Sequence, residues 1–419
     1  VTTLRRRIGV EIELLAPPGV DRGVLARRVA HASGGAARRV FHTDSEPSLV
    51  PGMGHFWHLT PAWEVSDAHG APVASFVDDI TIADDLRRGH EEERVGRAAP
   101  VTSASPSPDL WRVLSDDPRL LRLVADHSDP DAPFHQALNG IARLFATDVD
   151  VVGGVRRLRD RSGASIAMAA PLAPGRERPC EIVTAPLIVD HEAALEALLR
   201  PARELGFTVP LEAAVHLHVD GEPFRSAHAF ANLVRLVGNW RGALHELLGT
   251  NPACTRLAPM PPPLLALVEE EGAEWAAWAA ARHADATSGG GAASAQRWHR
   301  LQQAAAGTGL TEPGLIRPGL TKPRLTKPDL TKPLLTKPLL TKYMDVNLTA
   351  LLTDSPARDT VEVRILPGSL SASDITGRAR LVEALLDRCL EEAPLPRPTT
   401  AASVTPDRAV AELRRLAGV

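Results

Sequence analysis

The sequence predicts a mixed α+β fold. Three observations carry this: short stretches whose apolar residues alternate with a period of two, amphipathic stretches of helical spacing between them, and turn residues where the patterns change. The opening strand is the clearest case. Ile8, Val10, Ile12 and Leu14 point one way, while Gly9, Glu11 and Glu13 point the other.

The other elements follow in order. PAWEVSDAHGAPVASFV reads as a hairpin, two β-rich runs around Asp-Ala-His-Gly. Residues 84–108 are charged, then Ser/Pro-rich, and read as a surface loop. Helical patterns are predicted over about 109–126 and about 132–146. Short strands come next in VDVVGGVRRLRD, SGASIAMAAPL and CEIVTAPLIV. A helix over 190–205 should end at Gly206, a residue suited to a left-handed C-cap. The strand AAVHLHVD precedes a helix that Ser226 can cap and that should run to about Leu248. Residues 259–306 begin with prolines and become an Ala-rich helical stretch interrupted by Ser-Gly-Gly-Gly. A pentapeptide repeat fills 310–342, with proline at 313, 318, 323, 328, 333 and 338, which permits neither a helix interior nor a central strand. DVNLTALL, the strand TVEVRIL and a helix over 372–391 capped by Ser371 or Ser373 follow. A Pro/Thr-rich linker and a short amphipathic helix end the sequence.

Composition excludes several function classes. Among 419 residues, 47 Lys and Arg stand against 51 Asp and Glu, a net charge of −4 without the basic excess expected of a nucleic-acid binder. Cys180, Cys254 and Cys389 are widely spaced and odd in number, which argues against a disulfide framework or a cysteine zinc site and fits a reducing cytoplasm. No run approaches eighteen apolar residues, and patterned sequence begins at once, so neither a membrane partner nor a signal peptide is expected.

Three strands share one design. In GVEIEL the face opposite Val10 and Ile12 offers Glu11 and Glu13; in AVHLHVD the face opposite Val215, Leu217 and Val219 offers His216, His218 and Asp220. In TVEVRIL the face opposite Val361, Val363 and Ile365 offers Glu362 and Arg364. A solvated strand face more commonly carries Thr, Ser and Lys. The i, i+2 spacing here aims paired ligands into one space: carboxylates with an imidazole suit magnesium or manganese, and an arginine beside them suits phosphate. Asp44 and Ser48 in HTDSEPSL and Glu181 in EIVTAP are further acidic or polar candidates.

GVEIE, the TDSEPSL loop, EIVTAPL, HLHVD, YMDVNL and TVEVRILPGSL resemble, in the same order, the motifs of the amidoligase family. That family belongs to the carboxylate–amine ligase superfamily of glutamine synthetase and glutamate–cysteine ligase. The resemblance covers roughly residues 4–80, 149–250 and 343–390. It implies a glutamine synthetase-like fold, a curved antiparallel sheet lining the active site with helices outside. It also implies a catalytic domain over 1–392, with insertions at about 84–148 and 259–342, and a linker with a short helix over 393–419. By the same resemblance Glu11, Glu13, His216, Glu362 and Asp44 ligate magnesium, and Arg364 stabilises the transferred phosphoryl group. Glu181 completes the acidic cluster, and His218 and Asn347 contact nucleotide or substrate. Lys342 precedes Tyr343 where the family usually has arginine.

The implied reaction is ATP-dependent joining of a carboxylate to an amine through an acyl phosphate, with an amino acid, amine or peptide as substrate. Activation needs cations on the triphosphate and an arginine on the moving phosphoryl group. The sequence has neither a GxxxxGK[ST] loop nor a GxGxxG after a strand, so neither a P-loop kinase nor a dinucleotide enzyme is supported. A metal-dependent amide hydrolase and a non-catalytic interaction protein are the alternatives. All five lysines (Lys322, Lys327, Lys332, Lys337 and Lys342) lie in the repeat. Expansion of a short coding repeat into a tolerant loop explains this most simply; guiding an acidic substrate, or self-modification of those lysines, is the sharper alternative.

Overall fold

A computed structural model of the chain describes residues 4–47, 55–82, 86, 110–254, 257–270, 300–306, 342–352, 359–399 and 406–418. The strands in chain order are β1 (Ile8–Leu15), β2 (Ala36–Pro47), β3 (His55–Ser66), β4 (Pro72–Val77), β5 (Trp111–Ser115) and β6 (Val149–Val152). They continue with β7 (Val155–Arg159), β8 (Ser165–Pro171), β9 (Pro179–Thr184), β10 (Ala214–Asp220), β11 (Val346–Asn347) and β12 (Thr360–Pro367). The α-helices described are α1 (Arg22–Ala32), α2 (Pro118–His127), α3 (Asn139–Leu144), α4 (His191–Glu204) and α5 (Ala227–Asn239). After them come α6 (Arg241–Leu248), α7 (Pro262–Glu270), α8 (Ala372–Cys389) and α9 (Pro406–Ala417).

The chain divides into two compact units. The first comprises Val1–Val219, Leu248–Thr255 and Glu362–Glu383; the second comprises Asp220–Leu247, Arg256–Val361 and Ala384–Val419. In the first, a large sheet runs β12-β10-β1-β9-β4-β3-β5-β8-β7-β6, with β2 also paired to β3. β1 is antiparallel to both β10 and β9, and the order does not close into a barrel. The apolar alternation explains the central position of β1: Val10, Ile12 and Leu14 are buried on one side, so a slip of one residue would bury the glutamates among them.

Helix α1 starts where the Asp21 side chain accepts from the Val24 N–H at 2.8 Å, and buries Leu25, Ala26 and Val29. Farther along the sheet, Leu59, Trp111, Val113, Leu158 and Ala169 form a second core with Leu121 and Val124 of α2 and Ile141 of α3. The turn leaving α1 is tight. Gly34 has φ +66°, and a Cβ added at Gly35 would lie 1.8 Å from the Ser66 carbonyl oxygen. Gly35→Ala is therefore expected to cost about 2 kcal/mol or more. Thermal unfolding checks this, and unchanged stability would show that β3 yields there freely.

In the second unit, Asn232 of α5 is a buried tie. Its amide donates to the carbonyls of Glu391 at 2.9 Å and Ala393 at 3.1 Å, and its Oδ1 accepts from the Leu395 N–H at 2.8 Å. Buried Asp345 is held by Arg241 at 2.6 Å and His245 at 2.7 Å. Those two bases hold its carboxyl below the usual range, although burial alone would raise it.

Several elements differ from expectation. Residues 111–115 form β5, not the start of a helix; Asp117 caps α2 and Pro118 opens it. The helix expected over 132–146 shortens to a 3₁₀ turn at Phe134–Gln136 and the six-residue α3. VDVVGGVRRLRD is a hairpin, β6 and β7, turning at Gly153 and Gly154 with φ +59° and +79°. The helix expected from Ser226 to Leu248 breaks at Trp240, whose indole N–H donates to the Pro396 carbonyl at 2.9 Å. Ser226 sits at the cap position in extended conformation, but its side chain makes no capping bond. The TDSEP segment is strand, not loop, because β2 pairs with β3 along its whole length. Ser48, the 84–108 loop apart from Leu86, and repeat residues 310–341 lie outside the described residues.

Candidate metal centre

The site is built on β1 and its two neighbours. Glu11 stands opposite His216 and Gly9 opposite His218 in the β1–β10 pair, while Glu13 stands opposite Glu181 in the β1–β9 pair. Directly opposed residues share a face, so the two glutamates of β1 meet histidines on one flank and a third glutamate on the other. Gly9 leaves open the space beside His218, with a Cβ there 3.5 Å from the histidine Cβ. The backbone beneath is fixed: the Val10 N–H donates to the Thr184 hydroxyl at 2.9 Å, and the Ala214 N–H donates to Glu13 Oε2 at 2.7 Å.

His216 is the hub. Its Nδ1 lies 3.1 Å from Glu11, 3.6 Å from Glu362 and 3.9 Å from Glu181, and its Nε2 lies 3.3 Å from Glu13. His218 Nε2 lies 3.1 Å from the other oxygen of Glu11. Arg364 pairs with Glu362, and both are buried. The sequence-predicted Glu11, Glu13, Glu181, His216, His218, Glu362 and Arg364 are thus brought together within the first unit.

The electrostatics of the set are uneven. Burial would raise the Glu11 carboxyl, but His218 and His216 hold it well below the usual carboxylate range. Glu362 is likewise lowered against its burial, chiefly by the Arg364 charge. Glu13 and Glu181 go the other way. Burial raises both well above the usual range; Asp79 adds its charge to Glu13, and Glu11, Asp79, Glu13 and Asp44 add theirs to Glu181. Burial and the nearby Arg364 push His216 down, which favours a neutral imidazole able to donate a lone pair. Burial opposes the guanidinium charge of Arg364, but Glu362, Glu13 and Glu11 more than offset it and raise its pKa.

This donor set fits divalent cations. Ligand atoms of Glu11, Glu181 and His216 lie within 4.8 Å of one another, and so do those of Glu11, His218 and Glu362. Glu11 belongs to both groups, with one oxygen 3.1 Å from His216 and the other 3.1 Å from His218. Oxygen-rich sets with a single imidazole match magnesium or manganese better than zinc. Glu13 and Asp44 are in neither group. Three strand steps separate β2 from β9, about 14 Å in a flat sheet, yet Asp44 bears on Glu181.

Asn347 belongs to the second unit, where its Oδ1 accepts from the Thr349 N–H at 3.0 Å and hydroxyl at 2.7 Å and so caps a 3₁₀ turn. Lys342 places its ammonium 5.6 Å from the Tyr343 ring centroid. Sequence reasoning missed the supports behind β4 and β9. Buried Asp78 receives Arg176 Nη2 at 2.7 Å, and Arg22 Nη1 donates to the carbonyls of Arg176 at 2.8 Å and Pro179 at 3.1 Å. The signal was present as Asp-Asp closing an apolar strand, in PVASFVDD.

Among the described residues, no helix is long and apolar enough to cross a membrane. No curated protein and no solved structure matches the chain. The model of the family described as "Putative amidoligase enzyme" matches residues 4–261, more than half of the 419, and the chain belongs to that family of amidoligases.

Proposed function

We propose that the protein is an ATP- and magnesium-dependent carboxylate–amine ligase that forms an amide or isopeptide bond through an acyl phosphate. The observation that supports it most is the convergence of Glu11, Glu181, His216, His218 and Glu362 into two adjoining ligand groups, with Arg364 beside them. A carboxylate is a poor acyl donor, and transfer of a phosphoryl group to it makes it reactive at neutral pH. Bound magnesium or manganese supplies charge screening on the triphosphate and polarises the phosphoryl being moved. In this reading Glu11, Glu181 and His216 hold one cation, and Glu11, His218 and Glu362 hold the other. His218 thereby becomes a cation ligand. Arg364, oriented by Glu362, offers its planar fork to the equatorial oxygens of the moving phosphoryl group. Glu13, fixed by the Ala214 N–H, is a further carboxyl at the site, and a bound cation would favour its ionised form against the burial that raises it.

The test is ADP release from purified protein with ATP, magnesium, and panels of carboxylic acids and amines. Turnover should require both substrates, and ¹⁸O from the labelled carboxylate should appear in the phosphate released. Product formed or cleaved without nucleotide would replace the ligase reading with the hydrolase one.

A further inference from the structure

The β6–β7 hairpin ends the sheet of the first unit, and among the described residues no strand pairs with the outer edge of β6. Val152 stands opposite Val155 across Gly153 and Gly154, and a two-residue turn makes its flanking residues a hydrogen-bonded pair. Bonded and non-bonded pairs alternate along an antiparallel ladder. Asp150 therefore bonds Arg157, while Val149 and Val151 turn their N–H and C=O groups outward.

Protein edges are commonly blunted by lysine, proline or a bulge. This one has none of the three: its sequence is VDVV, and its register with β7 runs without a shift. Val151 is 65% exposed and Val152 55%, and Leu144 and Phe145, shortly before the strand, are 48% and 38% exposed. Val151 shares its face with Val149, which packs against the core of Leu158 and Ala167, so one flank of that core is open to water.

Charge selects what covers it. If the partner strand is β6 of a second copy, a two-fold axis relates the two and falls at Val149, Asp150 or Val151. At Asp150 the axis sets two carboxylates opposite each other, and at Val149 it sets Asp148 against Asp150 of the other copy. At Val151 each Asp150, already held by Arg159 at 3.3 Å, meets Val152 instead. The two Val151 residues then form a hydrogen-bonded pair, and Gly153 stands opposite Val149 of the other copy. A Cβ added at Gly153 or Gly154 would meet nothing within 4 Å, so the turn leaves room for the incoming strand.

We propose that two copies of the chain associate through β6 about a two-fold axis at Val151, continuing the sheet from one copy into the other. This association is independent of the ligase reading. Four paired residues a side cover less than the roughly 800 Å² per partner of a standard interface, so the dimer should be reversible, with a micromolar Kd.

Sedimentation velocity of the full-length protein from about 1 to 200 µM should show a monomer giving way to a dimer. Val151→Lys sets two ammonium groups opposite each other and should weaken association about tenfold or more, with the thermal midpoint of the dilute protein unchanged. Val151→Cys should form a disulfide-linked dimer under mild oxidation, because a hydrogen-bonded pair holds its Cα atoms about 5.5 Å apart. Asp150→Cys, whose counterpart faces Val152, should cross-link far less, and wild type with its three native cysteines is the control. A monomer throughout the range would overturn the proposal and leave the edge to a strand of another protein. So would undiminished association of Val151→Lys, assembly beyond two copies, or cross-linking of Asp150→Cys as efficient as that of Val151→Cys.

Discussion

Replacing Glu181 by glutamine is expected to abolish turnover and, with divalent cations chelated, to make the protein more stable. Glu181 is buried among Glu11, Asp79, Glu13 and Asp44, and its carboxyl is raised well above the usual range first by burial and then by those charges. A carboxyl raised on folding takes up a proton when the chain folds, so its contribution to stability falls as pH rises from the ordinary carboxylate range toward the folded pKa. The thermal midpoint gained by Glu181→Gln in chelator should therefore be largest at alkaline pH and shrink as the pH is lowered. Glu11→Gln should show the opposite stability effect, because Glu11 pairs with His216 and His218, each at 3.1 Å, and is held ionised by them. Both variants should lose about a hundredfold or more in turnover and most of the stabilisation that manganese gives wild type. Thermal melts in chelator and in manganese, across pH, separate the two. Parallel behaviour of the variants in chelator would mean that like-charge crowding does not govern this site.

The fold was legible where side-chain periodicity had a packing reason. β1, β10 and β12 carry strict alternation because one face is core and the other is the site, and each was read correctly from its own residues. The hairpin turn was legible because Asp67 is suited to bond the backbone ahead of it, and its Oδ1 accepts from the N–H groups of His69 at 2.8 Å and Ala71 at 2.9 Å. β2 was not legible. Arg38, Arg39, His42, Thr43, Asp44 and Ser45 lack the apolar content of a strand, and the segment is held instead by twelve-residue pairing with β3. β5 was hidden for a related reason: WRVLS is short and leads into a helix start, so its apolar residues merged with the helical pattern after Pro118. The break at Trp240 depends on a hydrogen bond to Pro396, far along the chain, which no local window contains.

The site was legible to the extent that it lies on regular strands. An i, i+2 pair declares its shared face in the sequence, so Glu11 with Glu13, His216 with His218, and Glu362 with Arg364 group from the sequence alone. Which strands would be neighbours was not contained in any one segment, and pairing of β1 between β9 and β10 is what brings Glu181 in. Asp79 lies beyond the end of its strand, where alternation carries no information. Its burial comes from tertiary packing that no local window contains.

Arg364→Lys is expected to lower kcat about a hundredfold while leaving the KM for ATP within a few-fold. Arg364 is buried, paired with Glu362, and held charged by Glu362, Glu13 and Glu11. Lysine keeps a positive charge in the same pocket, so the ground-state attraction for a polyphosphate largely survives. What lysine lacks is the planar pair of donors that can follow two oxygens as the phosphoryl group flattens in the transition state. An interaction stronger in the transition state than in the ground state appears in kcat, and one equal in both appears in KM. A purely structural role would give another pattern: Glu362 would lose its guanidinium partner, the thermal midpoint would fall, and kcat per folded molecule would hold. Steady-state kinetics corrected for the folded fraction, with manganese binding measured on the same samples, distinguish these outcomes. Wild-type kcat in Arg364→Lys would remove Arg364 from the chemistry and leave it as a counter-ion to the glutamates around it.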